Sequence, residues 1–197
     1  MKKSILFTDI VGYSKLTGQN QSLALELLAE HDKIIEPIIK RYDGQIVKRI
    51  GDAIVAIFEQ ATHAAQASVE IQQSLKNRNN RNQKSRHILI RIGIHYRDIS
   101  FQKDEIYGKG YEIASQIEPI AEFGGISISK DFFSKCSIKN ELIIKGVKNN
   151  FYVRPVANFI LKSSSVPQLI YKLYLNIIDW YDESFNDVTN YLKHQNI

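Results

Sequence analysis

The sequence predicts a mixed α+β fold, and three observations predict it. Residues 3–8 (KSILFT) form a short apolar run suited to a buried strand, which stops at Asp9. The segment GQIVKRIGDAIVAIF holds two β-branched runs on either side of Gly51-Asp52, the pattern of a tight hairpin. Around these, apolar residues recur at helical spacing. A strand, a helix, a hairpin, a helix and a returning strand make the ferredoxin-like palm arrangement, a βαββαβ core.

Each further element follows from local pattern. Leu23, Leu27, Leu28, Ile34, Ile35, Ile38 and Ile39 mark a helix from Gln21 to Tyr42, which Pro37 should interrupt or kink. Ala61 to Leu75 is alanine-rich and helical. His87 to His95 and Ile99 to Phe101 are strand-like, and Gly108 to Phe123 is helical until Gly124-Gly125 stops it. ISIS begins another strand, and ELIIKG with NFYVRPV suggests a closing hairpin around Val147 to Asn150. LKSSSVP (161–167) reads as a linker. Beyond it Leu169, Leu173, Ile177, Tyr181, Phe185, Val188 and Leu192 trace the stripe of an amphipathic C-terminal helix. The chain therefore divides into a domain at 1–160 and a linker with helical extension at 161–197, which packs on its own domain, supports a dimer or contacts another protein.

Composition narrows the function classes. Hydrophobic content of 44% and charged content of 24% over 197 residues are those of an ordinary globular protein. The single cysteine, Cys136, excludes an internal disulfide and fits a reducing compartment. The apolar run of MKKSILFTDIVGYS meets Asp9 too early for a secretion signal or a membrane span, so a cytoplasmic location is expected. The net charge of +5 permits an anionic partner, and much of the excess sits in KNRNNRNQKSRHILIR, which contains no acid. Its lack of stacking aromatics disfavours nucleic acid and suits a solvated connection. His31, His63, His87, His95 and His194 show no paired metal spacing.

The chemistry lies at the strand ends. Asp9 closes a buried strand and Asp52 sits in the turn of a buried hairpin, points that lie side by side in a palm sheet. Two carboxylates there can hold a pair of Mg²⁺ or Mn²⁺ ions. Each aspartate alone would be read as a turn residue; the pair is far more specific.

FTDIVGYS (Phe7 to Ser14) and KRIGDAIVAIF (Lys48 to Phe58) resemble the metal segment and hairpin of class III adenylyl and guanylyl cyclases. RIGIH (Arg91 to His95), IYGKGYEIASQIEPIAEFGGISIS (Ile106 to Ser129) and IIKGV (Ile143 to Val147) follow in family order, so the resemblance spans about residues 3 to 157. It implies Asp9, Asp52 and the Ile10 carbonyl as metal ligands. It also implies the amides of Gly12, Tyr13 and Ser14, with Lys145, at the phosphates. Lys48 matches the base-reading lysine, and Glu105 stands where adenylyl cyclases carry a base-reading aspartate. That donor and acceptor can serve adenine or cytosine, and in another register guanine or uracil; family precedent favours ATP. The resemblance further implies a head-to-tail homodimer, with Asp9 and Asp52 from one subunit and Lys48 and Glu105 from the other.

The match fails on one helix. The family's ribose-orienting asparagine and transition-state arginine fall at Glu112 and Gln116. Arg97 replaces a usual glycine. Three readings compete: a cyclase that recruits another cation (Arg97, Lys109 or a partner residue), a degenerate domain that binds nucleotide, and a partner of an active cyclase. The altered region also admits a pyrimidine nucleotide, in signalling or antiviral defence. The expected reaction is attack of the ribose 3′-oxygen on the α-phosphorus, releasing pyrophosphate.

Overall fold

In the computed structural model, residues 1–102, 105–136, 152–176 and 179 are described. Strand β1 (Lys2–Ile10) is followed by helices α1 (Tyr13–Gln19) and α2 (Gln21–Arg41), then by strands β2 (Gln45–Ile50) and β3 (Ala53–Phe58). Next come α3 (Ala61–Asn79), β4 (Ile90–Asp98), β5 (Ser100–Gln102), β6 (Glu105–Tyr107) and α4 (Lys109–Ile117). After a 3₁₀ turn at Glu118–Ile120 the chain forms β7 (Ile126–Ser129), α5 (Lys130–Phe133), β8 (Tyr152–Phe159) and β9 (Gln168–Tyr174). Seven strands make one sheet in the order β2-β3-β1-β4-β7-β9-β8, and β5 and β6 pair separately. Within the large sheet only β4 and β7 run parallel.

The alternation of β1 separates two cores, as the pleat requires. Leu6 and Ile10 join Leu27, Ile35 and Ile39 of α2 and Ile71 and Leu75 of α3 on one face. Ile5 and Phe7 turn to the other face, against Val55, Ile57 and Ala114 of α4. The mixed α+β fold and the palm sheet are those the sequence predicts.

Two expectations need correction. Pro37 does not interrupt α2, which runs from Gln21 to Arg41 although the proline removes one amide from the helix ladder. Burial of Ile35, Ile38 and Ile39 around it holds the helix together, since packing outweighs local propensity. The second correction concerns the C-terminal stripe. Residues 168–174 are not the start of a helix but strand β9, paired with both β7 and β8. Leu169 and Leu173 are separated by four residues, which fits a helix turn and also two strand repeats. The segment 161–167, read as a linker, connects β8 and β9 as a hairpin loop. The rest of the stripe, from Ile177 to Leu192, lies outside the described residues. So do Lys145 and the ELIIKG half of the expected closing hairpin.

The basic stretch is more structured than a solvated connection. Arg78 Nη2 lies 2.6 Å from Glu30 Oε2, and Arg86 Nη2 lies 2.8 Å from Glu26 Oε1 and 2.9 Å from Glu30 Oε1. These pairs clasp α3 and the 3₁₀ turn at Lys84–Arg86 to α2, and they occupy two cations that a nucleic-acid surface would need. Cys136 is buried and its thiol is pushed up to about 12 by burial, so it is inert filler.

His95 is fully buried on β4, with Nδ1 2.8 Å from the Ser129 hydroxyl. Burial holds its pKa down to about 4 from 6.5. Between those values the unfolded chain takes up a proton that the folded chain refuses, so stability falls as pH drops. From pH 7.5 to 5 this residue alone should cost about 2 kcal/mol. Urea unfolding at the two pH values should show that a His95→Gln chain loses less stability than wild type by that amount; equal losses would contradict it.

Candidate active site

The turn between β2 and β3 is closed by the pair Ile50↔Ala53, leaving Gly51 and Asp52 as a two-residue loop. Gly51 adopts a φ of +60°, which a tight hairpin of this kind needs at its first loop position. The turn aims the Asp52 carboxylate at β1, where Oδ2 accepts the amide of Ile10 at 2.8 Å. The structure thus brings Asp52 to the residue next to Asp9, as expected from sequence. Burial raises the pKa of Asp52, and the like charge of Asp9 raises it further, against the opposing pull of the Ile10 amide and its own amide.

Asp9 sits on the α4 face of β1, the face that also carries Ile5 and Phe7. Directly opposite it on β4 is Arg91, whose Nη2 lies 2.9 Å from Asp9 Oδ2. Behind Arg91 is Glu118, buried at the start of the 3₁₀ turn, with Oε1 2.7 Å from Arg91 Nε. That contact is an ion pair without an aligned hydrogen bond, since neither atom has a partner of good geometry. Burial pushes the Glu118 carboxyl up to about 7, with Arg91 pulling against it and Asp9 and Asp52 adding to it. The turn reaches β4 because position 93 is glycine. A Cβ there would stand 2.3 Å from the Glu118 amide nitrogen.

Gly12 caps α1 in a left-handed conformation with φ +76°, and Tyr13 and Ser14 open the helix. This places the three amides at the chain exit from β1, two residues past Ile10. Lys48 lies on β2 beside an irregularity in the pairing with β3. Its ammonium is 2.5 Å from Glu105 Oε2 on β6 and 6.0 Å from the Tyr111 ring centre. The Glu105 hydrogen bond raises the pKa of Lys48. The two base-reading candidates, 57 residues apart in sequence, therefore meet each other. Glu112 and Gln116 share the outer face of α4, one turn apart. Gln116 Nε2 donates to the Glu112 carbonyl at 3.0 Å and to Ser163 Oγ in the β8–β9 loop at 2.7 Å. Arg97 pairs instead with Asp131, Nη1 to Oδ2 at 3.2 Å. It stands six residues along β4 from Arg91, about 20 Å at strand rise, so it is remote from Asp9 within one chain.

Arg91, Glu118 and Ser163 are the residues that sequence reasoning missed. Arg91 was visible only as part of a quoted motif, and its pairing with Asp9 depends on the β1–β4 register. Glu118 likewise lies inside the Ile106–Ser129 motif and Ser163 inside LKSSSVP, but nothing local marks either as a site residue.

Asp9, Asp52 and the Ile10 carbonyl are hard oxygen donors of the kind Mg²⁺ and Mn²⁺ prefer. The mutual repulsion of the two carboxylates and the burial of Asp52 are what a cation between them would relieve. Among the described residues no group of three or more His, Cys, Asp or Glu side chains is arranged around a metal position. The backbone carbonyl is the available third donor. Among the same residues no helix is long and apolar enough to cross a membrane.

A palm sheet with one aspartate at a strand end and another in the adjoining hairpin turn is the arrangement that the resemblance to class III nucleotide cyclases implies. The sequence profile described as "Adenylate and Guanylate cyclase catalytic domain" matches residues 2–165, and the chain belongs to that family. It is 32% identical over 127 residues to "Putative adenylate cyclase 3" of Rhizobium meliloti (strain 1021), covering 64% of this chain and 22% of that protein. It is also similar to the adenylate cyclase of Neurospora crassa, at 24% identity over 87% of this chain and 10% of that one. The chain thus spans about a fifth or less of the length of these curated relatives. Among solved structures, the adenylate/guanylate cyclase/hydrolase from Silicibacter pomeroyi superposes with a TM-score of 0.73 at 26% identity, over 87% of this chain and 95% of that one. The adenylyl cyclase CyaB from P. aeruginosa superposes with 0.68 at 25% identity, over 88% and 93%.

Proposed function

We propose that this domain converts a nucleoside triphosphate, ATP first among them, to a 3′,5′-cyclic monophosphate and pyrophosphate. The observation that carries the reading is the delivery of Asp52 onto the Ile10 amide beside Asp9, in a chain of the cyclase family. Asp9, Asp52 and the Ile10 carbonyl would hold two Mg²⁺ or Mn²⁺ ions. Bound there, such ions supply charge neutralisation at the phosphates and lower the pKa of the attacking hydroxyl. The amides of Gly12, Tyr13 and Ser14 follow the same strand end in the chain and would orient phosphate oxygens, with Lys145 as a further cation. Lys48 and Glu105 would read the base edge, exchanging their mutual ion pair for contacts to it. The existing pair keeps both groups oriented while the site waits, which lowers the ordering cost of binding. Arg91 pairs with Asp9, and Glu118 stands behind Arg91.

The site would be completed by a second copy arranged head to tail, one subunit supplying Asp9 and Asp52 and the other Lys48 and Glu105. Mixing Asp9→Ala chains with Lys48→Ala chains should then restore one working site per mixed dimer. With random exchange, half of the dimers are mixed and each keeps one of two sites, so activity should recover to about a quarter of wild type. An exchanged mixture as inactive as its parents would contradict the shared site.

A second reading, a domain that binds nucleotide and has lost turnover, is favoured by one observation. Gln116 is engaged with Ser163 and the Glu112 carbonyl, where the family's arginine would face phosphate. Turnover of ATP, GTP, CTP and UTP with Mn²⁺ and with Mg²⁺, read as cyclic product by mass, separates the readings and names the base. Cyclic product supports the enzyme; nucleotide binding without product supports the second reading. A pyrimidine product would move the function toward a noncanonical cyclase.

A further inference from the structure

Arg91 holds two carboxylates at once, with Nη2 2.9 Å from Asp9 Oδ2 and Nε 2.7 Å from Glu118 Oε1. Asp9 faces Arg91 across the β1–β4 ladder, so that pairing follows from register alone. Glu118 has a different origin, because it is carried by the turn that ends α4. Its backbone is pressed against Gly93, where even a methyl group would collide. The carboxylate is buried, its Oε1 lacks an aligned donor, and Arg91 is the cation facing it. Such a group is costly to keep charged unless its partner stays near.

A guanidinium on Asp9 is a competitor for any cation that takes Asp9 as ligand. With no second carboxylate, expelling Arg91 would strand a half-buried charge. Glu118 gives Arg91 a partner to keep when it gives up Asp9. We propose that Glu118 is a positioning residue for divalent cation binding at Asp9, acting through Arg91, which it draws off the Asp9 carboxylate as the cation arrives. The inference rests on the cation site at Asp9 and Asp52 proposed above. It differs from a plain charge effect, in which Glu118 would attract the cation by its own negative charge whatever stands at position 91.

Mn²⁺ binding to the full chain at pH 8, without nucleotide, tests the idea by the electron paramagnetic resonance of free Mn²⁺. Glu118→Gln should weaken binding about tenfold or more, the usual effect of removing a residue that orients a ligand. Arg91→Gln should tighten it by removing the competitor. On the Arg91→Gln background, Glu118→Gln should cost less than about twofold, because its route of action is gone. An undiminished loss on that background would overturn the proposal in favour of direct charge attraction. Unchanged affinity in Arg91→Gln would overturn it as well, and Glu118→Met, uncharged and of similar volume, replaces Glu118→Gln on both backgrounds if the latter fails to fold. Wild-type chain that binds no Mn²⁺ in an Asp52-dependent way would sink the cation site and this inference together. Wild-type binding with unaltered variants would sink the inference alone.

Discussion

Replacing Asp52 by asparagine is expected to lower cyclic-nucleotide formation by about 10³-fold or more, while the fold keeps its stability. Asparagine retains an oxygen that can accept the Ile10 amide, so the hairpin tip stays anchored to β1. Asp52 is partly buried and stands near Asp9, both of which disfavour its charge. Neutralising it therefore removes a cost of folding, and the melting temperature should hold or rise. Catalysis should respond in the opposite direction. Charge stabilisation at a transferring phosphate is worth several kcal/mol, and about 1.4 kcal/mol is a factor of ten in rate. Turnover and thermal unfolding measured on the same preparation decide it. Full activity in Asp52→Asn would remove Asp52 from the chemistry, and lost activity with lost fold would make it a structural turn residue.

The second large effect is a gain. Arginine at position 116 should restore a cation where the family places one, but Glu112 stands one turn before it. A glutamate four residues ahead of an arginine on a helix is the favourable order for an ion pair, so Glu112 would capture the new side chain. Gln116→Arg alone is therefore expected to raise kcat only a few-fold. Combined with Glu112→Asn, it should raise kcat by about 10²-fold, below the 10³–10⁵ attributed to arginines that stabilise phosphoryl transfer elsewhere. Gln116 is only partly buried, so the longer side chain needs no repacking; the Ser163 contact is lost. Steady-state kcat for the two single variants and the double variant tests this. No gain in the double variant would mean that another cation, Lys109 for example, already serves, or that a different step limits turnover.

These two experiments bear on residues that the sequence exposed unequally. Asp9 was legible because it ends an apolar run, and Asp52 because a two-residue turn between two β-branched runs admits few alternatives. Lys48 and Glu105 were legible only through resemblance; their contact with each other was not, since 57 positions separate them. The strand at 168–174 was misread as helix because a spacing of four satisfies both periodicities. Its neighbours β7 and β8 decided the matter by offering a free edge on each side.

The sequence by itself determined the fold class, the two strand-end carboxylates and the helix on which the family pattern breaks. All of these are written in local periodicity, turn chemistry and short motifs. Tertiary structure alone decided what those residues face. Arg91 meets Asp9 through the register of two strands more than eighty residues apart, and Glu118 reaches Arg91 because Gly93 leaves room for its backbone. Gln116 meets Ser163 because β9 folds back into the sheet. Such contacts depend on strand order and close approach, quantities set by the packing of the whole chain rather than by any window along it.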